Sequence, residues 1–446
     1  STIDGLDLSY VGNTAQGTGL SLFLSDNNTV QNVTSANRSI GIGLGISDDN
    51  RLEQNNVSQA GLKGIGISQE SSRNVVRENN ASGSFVGINV FVSGSGNQIV
   101  DNDLSGTVDW GLSVLGDSEF VATGNDFTGS GNGIYLAAMD GITLTPTTFD
   151  IDVSTVTGTG LSLVGVTNST IDGLDFSYSG NSTSGTGLKL VNSDANTVKN
   201  VTTTNRDIGI ELRGAVDTEI HCAEITDNGT GLLVAGNASG VTISDSQIEG
   251  NDVGIENEGT NIVLAENNYW GAANGPSNLG GSGDGYTGNV DADPFLTSLP
   301  DCLVDVQTVN IDVKPDSDSN TTNLAANGVL PVVIYTTADF DASTVIGSSV
   351  TFAGASASYF ALEDVDGDGD LDLVLHFRIQ EMVELNADYR DALAADLEDG
   401  VIDDNHQSIK VTLRGETTDG ISIEGSDTID AFFAGKKFRD FVDSLE

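Results

Sequence analysis

Several residue types are scarce in this chain of 446 residues. It has six prolines, two cysteines, two methionines, two tryptophans and three histidines, and its 17 lysines and arginines face 65 aspartates and glutamates. The formal net charge of −48 makes nucleic acid and anionic membranes poor partners, because both are repelled by an acidic surface. The sequence contains no apolar run of the roughly 18 residues that a transmembrane helix needs, so no membrane insertion is expected.

Glycine, in contrast, is abundant and regularly spaced. Eleven times in the first 280 residues a Gly is followed by Ile or Leu, any residue and usually a second aliphatic residue. The spacing of roughly 22 to 27 residues is the period of a solenoid. The repeats start at Gly19, Gly41, Gly64, Gly87, Gly111, Gly133, Gly160, Gly187, Gly209, Gly231 and Gly254.

Each repeat alternates apolar and small or polar residues, which predicts a short strand with one side chain inward and the next outward. A second strand is predicted where an Asn precedes an aliphatic residue, as at Asn50, Asn74 and Asn97, and a further Asn follows each of these strands. Asn at a recurring point suits a left-handed bend in every coil, and its amide is expected to bond to the Asn of neighbouring coils. The predicted unit contains no helix.

The pattern excludes other solenoids of similar period. The L-x-x-L-x-L-x-x-N pattern of leucine-rich repeats, the GGxGxD nonapeptides of calcium-loaded β-rolls and the six-residue steps of left-handed β-helices are missing. We therefore predict an all-β protein whose residues 1–298 form a right-handed parallel β-helix of about 11 to 12 coils. With strands about 4.8 Å apart, the rod is expected to be about 55 Å long.

The end of this region resembles the closing segment of NosD-like β-helix repeat proteins, which belong to the pectate-lyase-like group. The resemblance covers roughly residues 1–298 and implies the fold and a tendency towards carbohydrates and cell surfaces, although a fold alone does not define a function. The residues that carry it most specifically are Asn268, Tyr269, Trp270, Gly271, Gly275 and Pro276, followed by Gly283-Asp284 and Asp293-Pro294-Phe295-Leu296.

A larger repeat overlies the short one. The residues from Ser1 align without a gap to those from Ser169, with roughly 30 of the first 44 positions identical. This identity indicates a duplication of about seven coils. Because Ser169 lies in mid-coil, Ser1 is expected to do so too, and the first coil is expected to abut preceding coils or another subunit, since solenoid ends are usually capped or docked.

The two cysteines lie in a late coil and just after the closing segment. A Cys222–Cys302 disulfide would tie the end of the rod to the residues that follow and would indicate an oxidising compartment. The alternative is a pair of separate buried thiols, and the geometry decides between them.

After Cys302 the glycine repeats stop and alternating strands appear. They predict a β-sandwich over residues 299–429, and residues 430–446 are expected to form a helical tail, because Phe438, Phe441, Val442 and Leu445 have helical spacing. A further helical stretch is predicted between Glu381 and Leu397. The region resembles a module found at the carboxy-terminal end of many bacterial and archaeal surface proteins, through the segments IDVKP, GVLPVVIYTTADFD, LEDVDGDGDLDLVLHF and EGSDTI.

One loop in this domain predicts a calcium site. Four carboxylates within nine residues repel one another without a cation, and Gly369 provides the turn. Leu375 stands where an EF-hand has its bidentate Glu, so the loop is more like the DxDGDGxxD loops of integrin-like and thrombospondin-type repeats. The alternative is a solvated acidic turn. The predicted Ca²⁺ ligands are Asp364, Asp366, Asp368, Asp370 and Asp372.

No catalytic residue is assigned. His221 is the single histidine of the rod, and its aspartates are spread along turns without a nearby base, so we lean against an enzyme while leaving open a lyase or hydrolase site assembled from adjacent coils. The leading hypothesis is a secreted or cell-surface structural and adhesive protein, stabilised by calcium and assembling end to end. The alternative is a β-helix that binds or cleaves polysaccharide, for which exposed aromatic side chains should line one face.

Overall fold

The computed structural model describes residues 1–12, 16–91, 94–117, 119–304, 306–315, 317, 319–396 and 405–434. The chain divides into two compact units, Ser1–Leu303 and Val304–Glu446. Each unit has its own apolar core.

The first unit is built on one parallel sheet of twelve strands, called here the long sheet. Each coil of the chain contributes one strand, so the unit has about twelve coils, as predicted. The strands are Thr18–Phe23, Ile40–Gly45, Lys63–Ser68, Val86–Phe91, Trp110–Leu115, Asn132–Ala137, Thr159–Val164, Thr186–Val191, Ile208–Arg213, Thr230–Ala235, Val253–Asn257 and Tyr286–Thr287.

Shorter parallel sheets close the other sides of the coils. A seven-stranded sheet contains Thr2–Asp4, Thr29–Gln31, Arg51–Glu53, Val75–Arg77, Gln98–Val100, Val121–Asp126 and Phe149–Asp152. A second seven-stranded sheet contains Thr143–Leu144, Thr170–Asp172, Thr197–Lys199, Glu219–His221, Thr242–Ser244, Val263–Leu264 and Val290–Asp291. A three-stranded sheet contains Thr202–Thr204, Glu224–Thr226 and Gln247–Glu249.

The repeated glycines stack at the second position of the long-sheet strands. Gly87 illustrates why no larger residue stands there: a Cβ atom on it would lie 2.5 Å from the carbonyl oxygen of Gly111 and 3.0 Å from Cδ2 of Leu104. The column of glycines therefore lets the residues on the opposite side of each coil, such as Leu104, pack closely against the long sheet.

Asparagine side chains form ladders inside the corners, as predicted. Asn50 is buried, and both its backbone N–H and its Nδ2 donate to Oδ1 of Asn74 at 2.9 and 3.1 Å. The same pattern links Asn74 to Asn97. The predicted left-handed bend is misplaced by one residue, however, because Asp49 and Arg73, and not the ladder asparagines after them, have positive φ angles of 56° and 53°.

Two ladders end on an aspartate. Nδ2 of Asn97 donates to Asp117 at 2.8 Å, and Asn251 donates its N–H and Nδ2 to Asp284 at 2.8 and 2.9 Å. A carboxylate accepts these bonds but has no N–H to donate to the next coil. Burial raises the pKa of Asp284, while the bonds from Asn251 lower it in part.

One arginine lies in the core of the first unit. Arg206 is fully buried, and its guanidinium donates to five backbone carbonyls, including those of Val156 at 2.6 Å, Phe176 at 2.7 Å and Val153 at 2.9 Å. Its guanidinium carbon lies 5.4 Å from the centre of the Tyr178 ring. Desolvation lowers the pKa of Arg206 to about 10, so the guanidinium is still charged at neutral pH.

The second unit is a mixed sheet of nine strands around an apolar core. Its strands are Val306–Thr308, Ile311–Val313, Thr322–Asn323, Val329–Ile334, Thr351–Phe352, Ala355–Glu363, Asp372–Arg378, His406–Glu416 and Ser422–Phe432. Most neighbours are antiparallel, but Val306–Thr308 and Thr322–Asn323 run parallel to the last strand.

Helices are few in the described residues. An α-helix spans Val383–Asp396, within the predicted helical stretch, and 3₁₀ turns span Ser277–Leu279, Asp301–Leu303, Ala342–Thr344 and Ile379–Glu381. None of them is long and apolar enough to cross a bilayer. The predicted helical tail begins too early, because residues up to Phe432 belong to the last strand, which pairs with His406–Glu416. Residues 435–446, the remainder of that tail, lie outside the described residues.

Candidate functional site

The acidic loop connects the strands Ala355–Glu363 and Asp372–Arg378. Asp364, Asp366 and Asp368 are exposed, and each offers a carboxylate oxygen within 4.8 Å of the others. Oδ1 of Asp364 accepts a hydrogen bond from Gly367 N at 2.8 Å, and Oδ1 of Asp366 accepts one from Asp368 N at 3.2 Å. These short-range bonds curl the loop so that its carboxylates converge.

The other two predicted ligands have different surroundings. Asp372 is fully buried and accepts hydrogen bonds from Thr336 N and Val365 N, both at 2.9 Å, so it holds the loop on the sheet. Asp370 lies beside Asp368, and partial desolvation together with the Asp368 carboxylate raises the pKa of Asp370. The structure therefore groups three of the five predicted ligands and uses Asp372 as an anchor.

The cysteine sulfurs are bonded in the structure. Cys222 and Cys302 have Cα atoms 5.8 Å apart, which is within the usual range for a disulfide. Cys222 follows the strand Glu219–His221, and Cys302 lies in the 3₁₀ turn after the last coil. The bond fastens this turn to the side of the rod.

The closing segment fills the last coil. Trp270 is fully buried and its ring centroid lies 5.8 Å from that of Tyr286. Nδ2 of Asn268 donates to the carbonyls of Ile243 and Ala265, at 2.7 and 2.8 Å. Gly271 and Gly275 have φ angles of 79° and 82°, which residues with side chains rarely adopt. The segment thus covers the apolar core at this end.

A different group of residues lies on the outer surface of the long sheet, called here the long face. Because the strands stack in register, their outward positions form rows along the rod. The middle row contains Ser21, Gly43, Gly66, Asn89, Ser113 and Tyr135. The row beside it contains Phe23, Gly45, Ser68 and Phe91. Small residues therefore form the floor between larger ones.

Aromatic side chains stand on this face. Trp110 and Tyr135 come from adjacent coils, and their ring centroids lie 5.4 Å apart with the planes tilted by 55°. Phe23 and Phe91 are 56% and 52% exposed, although apolar rings of this size gain most from burial.

A line of hydrogen-bonded polar side chains runs along the long face. Nζ of Lys63 donates to Oδ1 of Asn89 at 3.2 Å, and Nδ2 of Asn89 donates to Oγ of Ser113 at 3.3 Å. Partial burial lowers the pKa of Lys63. The line leads from the Lys63 coil towards Trp110 and Tyr135, so donors and acceptors of hydrogen bonds lie beside the rings.

Further along the long face, one carboxylate is held by two cations. Glu211 is buried, with Lys189 Nζ and Arg213 Nε at 2.8 and 2.9 Å from its oxygens. Glu211 thus fixes the positions of the Lys189 and Arg213 side chains on this face.

Sequence reasoning missed most of the long face. Its residues are separated by a whole coil in the chain, and each one alone is an ordinary Ser, Gly, Asn or Phe of a strand. One signal was available in the sequence. In each glycine repeat the variable residue between the two aliphatic residues points outward, so aligning the repeats lists the residues of this face.

Two family models match the chain. One describes a right-handed beta helix region and matches residues 110–269, and the other describes a periplasmic copper-binding protein (NosD) and matches residues 7–112. The chain is a right-handed β-helix repeat protein. No curated protein sequence matches it.

Solved structures with a similar fold share little sequence with this β-helix protein. The A-module of the mannuronan C-5 epimerase AlgE6 from Azotobacter vinelandii is 15% identical, with a TM-score of 0.34 over 63% of this chain and 79% of that one. The Dettilon tailspike protein is 12% identical, with a TM-score of 0.38 over 83% and 85%. Pectate lyase Pel9A is 12% identical, with a TM-score of 0.27 over 66% and 70%.

Proposed function

We propose that this β-helix protein is an extracellular or cell-surface rod that binds polysaccharide along the long face. The observation that carries the proposal is the set of aromatic rings on this face, the exposed Phe23 and Phe91 and the half-buried Trp110–Tyr135 pair, beside a floor of small residues. Sugar rings stack their C–H faces on aromatic side chains and bond their hydroxyls to amides and hydroxyls at the rim. Trp110 and Tyr135 supply the rings, and Asn89 and Ser113 supply the polar partners.

The repeat of the rod suits a repeating ligand. Neighbouring coils are about 4.8 Å apart, a step close to the length of one sugar residue in an extended glycan. Phe23 and Phe91 are separated by three such steps in the sheet register. A polysaccharide lying along the long face would therefore meet equivalent positions coil after coil.

We propose binding in preference to cleavage. Both carboxylate oxygens of Glu211, in the middle of the long face, are engaged by Lys189 and Arg213, whereas glycoside hydrolysis needs a pair of carboxyl groups that reach the scissile bond of the substrate. An adhesive role follows directly, since a rigid rod with a lengthwise glycan site can hold a cell or sheath to a polysaccharide surface.

Replacing Trp110 tests the binding function. We expect Trp110→Ala to weaken binding of a soluble glucomannan about tenfold, because the Trp110–Tyr135 platform loses one of its rings. Affinity electrophoresis across glucomannan concentrations gives the dissociation constant. Phe85→Ala, which removes an exposed ring from a loop position before the strand Val86–Phe91, is the matched control and should bind as the wild type does. Equal affinities of Trp110→Ala and wild type would refute the platform.

We also propose that the acidic loop of the second unit holds Ca²⁺. The exposed carboxylates of Asp364, Asp366 and Asp368 converge within 4.8 Å, and hard cations of this kind prefer oxygen ligands. Gly367 and Gly369, with φ angles of 80° and 102°, allow the tight turns that bring the carboxylates together. Calcium would offset the repulsion among them and stiffen the hairpin.

Removing a ligand tests this site. Asp366→Asn should lower the melting temperature of the second unit in millimolar calcium by several degrees and leave it nearly unchanged in chelator, because only the calcium-loaded state uses the carboxylate. Asp419→Asn, in the turn between the two longest strands of this unit, is the control. Differential scanning calorimetry measures the melting temperatures. An equal shift of the melting temperature with and without calcium would count against the site.

Copper, named in the description of one matching family, does not suit this chain. Copper sites use histidine, cysteine and methionine, and the matched residues 7–112 contain none of these. We derive no role for copper here.

A further inference from the structure

The corner after most of the long-sheet strands is left-handed in the described residues, and its occupants change along the rod. In the later coils the corner residue is small or an asparagine: Gly116, Ala138, Gly165, Asn192, Gly214 and Gly236. In the first coils it is Leu24, Ile46 and Gln69, with φ angles of 50°, 48° and 59°. A left-handed backbone is unfavourable for a residue with a side chain, and most unfavourable for a β-branched one.

Burial of these side chains does not offset the unfavourable backbone conformation. Leu24 and Ile46 are 68% and 44% exposed, so they contribute little buried apolar area. Glycine at either corner would relieve the backbone and remove an apolar side chain from water. Residues that break a local rule without a gain in stability are typical of functional surfaces.

These corners border a groove of about 630 Å³ on the long face. It is lined by Phe23, Ile46, Gln69, Glu70 and Phe91. The two phenylalanines form its ends, three coils apart, and the side-chain-poor positions Gly45 and Ser68 lie between them in the register. Gln69 and Glu70 are consecutive left-handed residues, with φ angles of 59° and 60°, and they form the polar rim.

The lining selects the charge of its ligand. Among the described residues that line it there is no cation, and the one charged group is the carboxylate of Glu70. The nearest turn adds Arg73, but this side chain is paired with Asp49 at 2.8 Å and Asp48 at 3.3 Å. In a chain of net charge −48, a uronate or sulfate entering this groove would be repelled. A neutral ligand with apolar groups matches both the walls and the rim.

We propose that the groove between Phe23 and Phe91 is a subsite for neutral polysaccharides whose sugars carry acetyl or methyl groups. The proposal rests on the polysaccharide-binding function of the long face, and it names the class of glycan. Ring faces stack on the two phenylalanines, while an acetyl or methyl substituent packs against Ile46. Gln69 and Glu70 accept hydrogen bonds from the hydroxyl groups of the sugars. A deacetylated glycan also has these hydroxyl groups, so these bonds do not distinguish the two forms.

The experiment compares one backbone with and without its apolar groups. Acetylated glucomannan and the same material after alkaline deacetylation are titrated into the full-length protein by isothermal calorimetry. We expect the wild type to bind the acetylated form about tenfold more tightly, as expected when a methyl-sized group is buried at each contact. Phe91→Ala should weaken binding of both forms, because a ring on which sugars stack is lost, but it should weaken the acetylated form more and so reduce this ratio towards one.

Ile46→Gly provides a second readout that a merely structural residue would not give. It should raise the melting temperature, because the left-handed corner is relieved, and should at the same time lower the acetylated-to-deacetylated affinity ratio. Phe85→Ala, outside the groove lining, should leave both values unchanged. Trp110→Ala should weaken the binding of acetylated and of deacetylated glucomannan by the same factor.

The outcomes separate the two proposals. Equal affinity of the wild type for both glucomannans would overturn the subsite and leave the binding function of the long face intact. If Phe91→Ala weakened both forms equally, Phe91 would be a general platform and the subsite would also be wrong. If neither form bound, the binding function itself would fail, and the subsite with it. Binding of neither form together with concentration-dependent dimerisation that Phe91→Ala abolishes would assign the groove to a second copy.

Discussion

Arg206→Met is expected to destabilise the first unit by about 3–5 kcal/mol. The methionine fills much of the space of the arginine stem, but five backbone carbonyls lose their donor inside the rod. An unpaired buried acceptor costs about 1–3 kcal/mol, and some of these carbonyls keep partners elsewhere. Equilibrium unfolding in urea, followed by circular dichroism in the strand region, gives the loss.

The duplication supplies the control. Arg38→Met makes the same change at the matching place in the first copy, where the guanidinium has one carbonyl partner, Leu8, and is half-exposed. We expect a loss below about 1 kcal/mol. If Arg38→Met and Arg206→Met destabilised the protein equally, the network of carbonyls around Arg206 would not be the source of its stabilisation.

Gly87→Ala should be nearly as damaging, for a steric reason. The new methyl group would lie 2.5 Å from the carbonyl oxygen of Gly111, which is backbone and is fixed by the ladder to the next coil. Coils cannot separate locally without breaking hydrogen bonds, so we expect a loss of about 3 kcal/mol. A fall in the melting temperature by several degrees reports it.

Gly106→Ala, in the turn between the strands Gln98–Val100 and Trp110–Leu115, separates crowding from backbone strain. Gly106 has a φ of 59°, and a Cβ atom there would meet nothing within 4 Å. Its substitution should cost about 1 kcal/mol, the price of a left-handed alanine. Comparable melting temperatures for the two variants would show that the glycine column does not set the spacing between the coils and the long sheet.

The coil architecture was predictable from the sequence because one constraint recurs in every turn of the chain. The glycine column and the alternation of Ile and Leu after it leave a visible period. The asparagine ladders were predicted for the same reason. The residue that takes the left-handed bend was placed one position late, because the ladder Asn needs its own backbone N–H directed at the next coil, and the bend must therefore precede it.

The candidate site was less accessible to prediction. The acidic loop is contiguous in sequence, so Asp364, Asp366 and Asp368 could be named at once, but the anchoring of Asp372 depends on a hydrogen bond from Thr336, which is distant in the chain. The long face is assembled from residues a coil apart, such as Phe23 and Phe91. The sequence gives such residues no local mark, and only the register of the sheet brings them onto one surface.

The aspartates at the ends of the asparagine ladders bear on how such a protein changes in length during evolution. Each ladder asparagine offers donors on one side and an acceptor on the other, so any coil that carries it fits any similar neighbour. Copies can therefore be inserted without redesigning the joint. Asp117 and Asp284 break this interchangeability, because they accept from the coil before and offer nothing to the coil after. These two aspartates mark the positions along the rod at which a run of interchangeable coils ends.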